Sequence, residues 1–234
     1  VGSRTMSVTS VLSRNLFRNM SLSPKTSAVV SCVCGSAFLR FARSTPRLHL
    51  ECACCDCRQA NEWSAWLASR PPPPPLSQLY YFDNDVLEAT EELLELQMLR
   101  VGARSTRCVA KCCHSVVAVD HPAYKQNVVM VPGDSCRVEA ASLPGAIGRV
   151  YETDWDEHHD GQLEPFIADR DAVAAMPAGS DCQRPWRTVF SLPLEGVRQG
   201  MSLQALHAKL GPVKVLNLQE ARRFAADLTG PSPL

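Results

Sequence analysis

Residues 28–58 read AVVSCVCGSAFLRFARSTPRLHLECACCDCR, and this stretch decides the fold. Val29 and Val30 lead into Cys32-Val33-Cys34-Gly35, and Phe38, Leu39 and Phe41 follow with partial alternation. That pattern predicts two short strands joined by a tight turn. Gly35 supplies the backbone freedom that a turn around a metal needs. Leu48-His49-Leu50 runs as a third short strand into Cys52-Ala53-Cys54-Cys55-Asp56-Cys57. Trp63 and Trp66 follow closely and are expected to pack beside the cysteines.

Further out, Leu79–Phe82, Val116–Val119 and Val128–Val131 also read as strands, the last closed by Pro132-Gly133. Short strands with turn residues between them predict a small, mainly β domain over about residues 28–138. The five prolines 71–75 interrupt it as an extended polyproline insertion on the surface. Asp85 with Glu88 resembles a capping box and predicts a helix over Val86–Leu99. Residues 139–234 read as an irregular extension. An exposed acidic loop lies at 151–171, with Asp154, Asp156, Glu157 and Asp160 beside His158 and His159. Ser202 caps a helix over Leu203–Leu210, ended by Gly211-Pro212. A last helix is expected after Asn217, with Leu218, Phe224 and Leu228 on one stripe.

The composition excludes several classes. The chain has 234 residues, 45% hydrophobic and 21% charged, enough for an ordinary core. Lys+Arg and Asp+Glu are 24 each, so no global basic field argues for nucleic acid. The longest apolar run is five residues, against roughly 20 for a membrane span, so no span is expected. The charge is unevenly placed: residues 1–50 hold seven Lys/Arg and no acid, leaving 17 basic and 24 acidic side chains after residue 50. Residues 1–27 are Arg- and Ser-rich and weakly amphipathic. They read as an import leader for an organelle, mitochondrion or plastid, or else as a disordered basic tail.

Eleven cysteines carry the chemistry. Their number is odd, and Cys-x-Cys spacing is too short for an ordinary disulfide framework, so tight clusters read as thiolate metal ligands. Structural zinc takes four thiolates in a closed tetrahedron. Cys32 and Cys34 offer one pair, and the second comes from Cys108, Cys112 and Cys113. Cys52, Cys54 and Cys57 form a separate three-thiolate set with no evident fourth ligand, the arrangement of a catalytic or substrate-binding zinc. Completion by Cys55 or His49, a metal-free set, and iron–sulfur ligation stay open alternatives.

Cys32-Val33-Cys34-Gly35, then Cys52-Ala53-Cys54-Cys55-Asp56-Cys57-Arg58 some 18 residues later, then a third cysteine cluster before Ser115 and an apolar strand, form one ordered set. This set resembles the glutathione-dependent formaldehyde-activating enzyme family, whose domain centromere protein V shares. The resemblance covers about residues 28–138. It implies a zinc-stabilised antiparallel β-tent with two zinc sites. Cys32 and Cys34 would belong to the structural zinc, and Cys52, Cys54 and Cys57 to an exchangeable zinc at the active site. The implied reaction is a carbon–sulfur lyase reaction in reverse, the addition of formaldehyde to glutathione, with glutathione or another small thiol as partner. The chain departs from the family pattern in Ala53, in the additional Cys55, and in Cys108-x-x-x-Cys112-Cys113-His114. The alternative reading is a non-catalytic zinc-stabilised scaffold, or an accessory subunit of an organellar assembly with protein partners.

Overall fold

The computed structural model describes residues 26–71, 73–158, 163–176, 180–181 and 184–218. Residues 1–25 of the leader-like segment, His159, Asp160 and residues 219–234, over which the last helix is expected, lie outside the described residues. Among the described residues twelve strands run in chain order as β1 (Ala28–Cys32), β2 (Phe38–Phe41), β3 (Leu48–Cys52), β4 (Ser77–Asp83), β5 (Val86–Ala89), β6 (Leu94–Met98), β7 (Thr106–Ala110), β8 (Val116–Asp120), β9 (Val128–Pro132), β10 (Cys136–Glu139), β11 (Arg149–Val150) and β12 (Lys214–Val215). Among the described residues the α-helices are α1 (Cys55–Leu67), α2 (Glu152–His158), α3 (Arg170–Ala174), α4 (Pro185–Ser191) and α5 (Leu203–Leu210).

The strands form two sheets, so the chain is mostly β, as its short apolar runs predict. One sheet has the order β10-β1-β2-β5, and the other β11-β3-β4-β9-β8-β7-β6-β12. Pairing is antiparallel except for the two-residue edge strands β11 and β12, which lie parallel to β3 and β6. Val30, Leu39 and Phe41 of the small sheet pack against Phe82, Leu94, Ala118 and Val129 of the large one, with Leu203 and Leu206 of α5 beside them. The opposite face of the large sheet is covered too: Leu50, Tyr81, Val116, Val119 and Met130 lie under Ile147, Val150, Val189 and Leu192. This double burial explains why Val116–Val119 and Val128–Val131 are continuous apolar runs. A strand covered on both faces has no solvent side for alternating polar residues.

The helix expected over Val86–Leu99 is instead β5, a single 3-10 turn at Glu91–Leu93, and β6. Leu and Glu are good helix formers, but propensity is a weak preference that tertiary pairing overrides: Val86 pairs with Phe41, and Leu96 with Cys108. Asp85 caps no helix there. Its carboxylate accepts the backbone N–H groups of Gln199 and Gly200 at 2.8 and 2.6 Å, tying the C-terminal region to the sheet. Neighbouring Asn84 accepts the N–H of Leu203 at 2.6 Å. The Arg47 side chain (5% exposed) pairs with Asp83 at 3.0 Å and with Glu195 at 2.9 Å, a second tie between these regions. Ser202 caps α5 as expected, accepting from Ala205 N.

The acidic stretch is only partly loop. Glu152–His158 is helical, and Asp169 caps α3 through Ala172 N. No helix among the described residues is long and apolar enough to cross a membrane.

Candidate metal centres

Two groups of cysteines converge, and each gathers through a different local device. The first is Cys32, Cys34, Cys112 and Cys113, whose sulfurs all lie within 4.8 Å of one another. Cys32 ends β1, and Cys34 stands in the turn before β2, where Gly35 takes φ +79. Cys112 and Cys113 occupy the turn between β7 and β8. Buried Ser115 docks the two turns, its hydroxyl accepting from Val33 N at 3.2 Å and lying 3.2 Å from Cys113 Sγ. Sulfur–sulfur distances are 3.4 Å for Cys32–Cys34, 3.3 Å for Cys34–Cys112, 3.7 Å for Cys32–Cys112 and 3.9 Å for Cys112–Cys113. Ligands at about 2.3 Å from a tetrahedral zinc stand about 3.8 Å apart, so the donors fit that ion. Burial opposes ionisation of Cys34, but its hydrogen bonds with Ser36 and Cys112 bring its thiol down to about 6. The group is closed in ligand number yet lies at the surface, with Cys34 and Cys112 exposed.

Cys108 stands apart from this group. It lies in the middle of β7, pairs with Ala118 and Leu96, and is fully buried between the sheets. Burial alone raises its thiol to about 12. It is a small core residue, as free cysteines commonly are. The ligand pair comes from the turn because only the turn projects beyond the ladder to meet Cys34.

The second group is Cys52, Cys54 and Cys57, again with all sulfurs within 4.8 Å. Cys52 ends β3, and Cys54 is the N-cap of α1, its sulfur accepting the N–H of Cys57 at 3.3 Å. The N–H of Cys54 points to Cys52 Sγ at 3.5 Å. Placing these sulfurs at a helix N-terminus sets negative charge against the positive end of the helix dipole. Hydrogen bonds from Cys52 and Cys54, and then the charge of Arg107, hold Cys57 well below the usual thiol range. Cys52 is pushed well above it, first by its contact with Cys54.

Neither alternative fourth ligand joins this group. Cys55 turns to Asp154, at 3.6 Å between sulfur and carboxylate oxygen. His49 is held between Pro144 O and Gln78 Oε1 at 3.0 and 2.7 Å.

The three sulfurs line a pocket of about 340 Å³ that several distant segments build. Arg100, Arg104 and Arg107 come from the β6–β7 connection and the start of β7. Asp56 pairs with Arg100, which also donates to Gln59 Oε1 at 3.1 Å. Arg107 is 4% exposed and donates to Asp56 O at 3.5 Å. Its Nη1 is buried with no hydrogen-bond partner among the described residues. Arg104 is exposed and makes no ion pair among the described residues. Tyr81 and Tyr124 are buried phenols of the wall, and burial raises both, followed by neighbouring tyrosine or thiol groups.

Tyr151 stands at the rim because β11 pairs with β3, setting Val150 opposite Cys52. Its backbone adopts φ +60, a strained conformation for a bulky residue. Burial, and then the three thiols, keep its phenol protonated beyond the usual range. Gly148 permits this edge to form, since a Cβ there would come within 2.6 Å of the Pro185 ring at the start of α4. The cysteine spacing announces the three-sulfur group. The arginines, tyrosines and α4 carry no comparable local signal, and sequence reasoning misses them.

No protein-family profile matches the chain, and no curated protein is significantly similar to it in sequence.

Proposed function

We propose that this chain is a two-zinc protein of the glutathione-dependent formaldehyde-activating kind. Cys32, Cys34, Cys112 and Cys113 would hold a structural zinc at the surface, joining a turn of one sheet of a β-tent to a turn of the other. Cys52, Cys54 and Cys57 would hold an exchangeable zinc. The observation that carries the reading is ligand number: the group lining the Arg- and Tyr-walled pocket has three cysteines, whereas the other group, which also borders a surface pocket, is complete with four. Three thiolates leave one tetrahedral position for an incoming group. Bound there, zinc would stabilise a substrate thiolate as a Lewis acid.

The chain's own residues supply the rest. Arg104, free of ion pairs among the described residues, receives a carboxylate of an anionic thiol such as glutathione. Arg107 and the N-terminus of α1 balance the negative charge of the sulfurs. Addition forms the bond from sulfur to the aldehyde carbon, and the carbonyl π bond becomes a C–O single bond. The thiol proton ends on oxygen, and nothing is oxidised or reduced. Tyr151 Oη relays that proton, donating its own to the oxygen and being reprotonated by the one the thiol releases.

The test is elemental analysis of the purified chain before and after mild chelation, followed by measurement of S-hydroxymethylglutathione formation. Two zincs per chain, one readily removed, with acceleration that follows the removable zinc, are the expected results. One tightly held zinc and no acceleration would overturn the enzyme reading and favour a zinc-stabilised scaffold.

A further inference from the structure

The pocket has two chemically different sides. The β6–β7 side is cationic, whereas the side formed after β8 and by α4 is aromatic. Phe190 lies parallel to His121, at 6.1 Å and 8° between ring planes. Tyr124 is 6.1 Å from Phe190, and Trp186 meets Phe190 edge to face at 5.6 Å and 61°. Tyr124 is 8% exposed, a core residue, but Trp186 remains 40% exposed while lining the cavity. α4 packs through its buried Val189, while half-exposed Trp186 lines the cavity and also carries the Arg187 guanidinium over its ring, 5.2 Å from the centroid.

A one-carbon carbonyl has no surface to set against such a wall. A closed cavity of about 150 Å³ is enough for a benzene ring. The 340 Å³ pocket thus has room for a ring beside the thiol. Resting on the proposed thiol–carbonyl reading, we infer that the carbonyl partner carries a planar apolar group, an aryl aldehyde, whose ring seats against Trp186 and Phe190. The cationic side takes the carboxylates of the thiol, and the three sulfurs lie in the same pocket. The chemistry is unchanged: sulfur bonds to the aldehyde carbon, the C=O π bond opens, and the thiol proton passes to oxygen. The product is a hemithioacetal. Offset and edge-to-face ring contacts supply the preference beyond simple burial.

The test titrates the zinc-loaded full chain, by calorimetry, with glutathione, S-methylglutathione and S-benzylglutathione. The benzyl derivative is expected to bind at least tenfold more tightly than the methyl one. Trp186→Ala is expected to narrow that ratio to less than threefold, with far-UV circular dichroism confirming the fold. The comparison among ligands needs no variant. Equal affinities for the methyl and benzyl derivatives, with glutathione still bound, would overturn the aryl assignment and leave the thiol reading standing. A tenfold ratio that Trp186→Ala leaves unmoved would overturn the seat on α4. If none of the three ligands binds, the thiol reading falls, and the aryl assignment with it.

Discussion

Cys54 does two jobs that substitution can separate. Its sulfur belongs to the three-cysteine group, and it also caps α1 by accepting the N–H of Cys57 at 3.3 Å. Serine is a strong N-cap and a poor zinc ligand, whereas alanine is neither. Replacing a Ser-type cap by Ala costs about 1 kcal/mol. For a chain of this size, 1 kcal/mol moves the melting temperature by about 2–4 °C. Both Cys54→Ser and Cys54→Ala should lower zinc content by one per chain while leaving the other zinc in place. In the chelated protein, where the second zinc contributes nothing, Cys54→Ala should melt about 2–4 °C below Cys54→Ser. Elemental analysis and melting followed by circular dichroism measure the two effects independently. Equal melting would refute the capping role. Full zinc in both variants would refute the ligand role, and loss of folding in Cys54→Ser would make this centre structural.

The other expectations follow from the same geometry. Cys108→Ala should keep the full zinc content and lower stability by about 1 kcal/mol in urea unfolding, since it only shortens a buried core side chain; loss of a zinc would return Cys108 to the ligand set. Cys32→Ser should lose the structural zinc and unfold cooperatively at much lower temperature, because metal binding and folding are coupled at such sites. Unchanged melting with full zinc would count against it. Tyr151→Gly should melt within about 2 °C of the parent, because relief of about 1–2 kcal/mol of left-handed strain offsets glycine's added backbone entropy. The same variant should slow adduct formation at least tenfold, and an unaffected rate would remove the phenol from the reaction. His207 is held below its usual value by burial, so the folded chain takes up a proton less readily than the unfolded one. Stability from this group is then present above about pH 6.5 and lost as pH falls, so His207→Leu should flatten the decline in urea midpoint between pH 7.5 and 5.5. Parallel curves would contradict that.

What could be read from the sequence depended on whether the signal was local. The strands β1 to β3 announce themselves through β-branched and aromatic residues around a glycine turn, and β8 and β9 through apolar runs. The three-cysteine group is legible because its ligands fall within six residues, from Cys52 to Cys57. The helix that holds it is not, because α1 buries Gln59, Ala60, Asn61, Ser64 and Ala65, a small and polar face with no apolar stripe. Its cap is a cysteine, outside the usual cap residues. The choice among Cys108, Cys112 and Cys113 needed the register of β7, which places the first in the ladder and the others in the turn. The pocket was least legible of all. Residues 100–107, 121–124, 150–154 and 186–190 meet only because β11 docks on β3 and α4 packs across Gly148. A site walled by long-range pairing leaves no periodicity in the chain. Its ligands are therefore readable from spacing, while its selectivity is readable only from the fold.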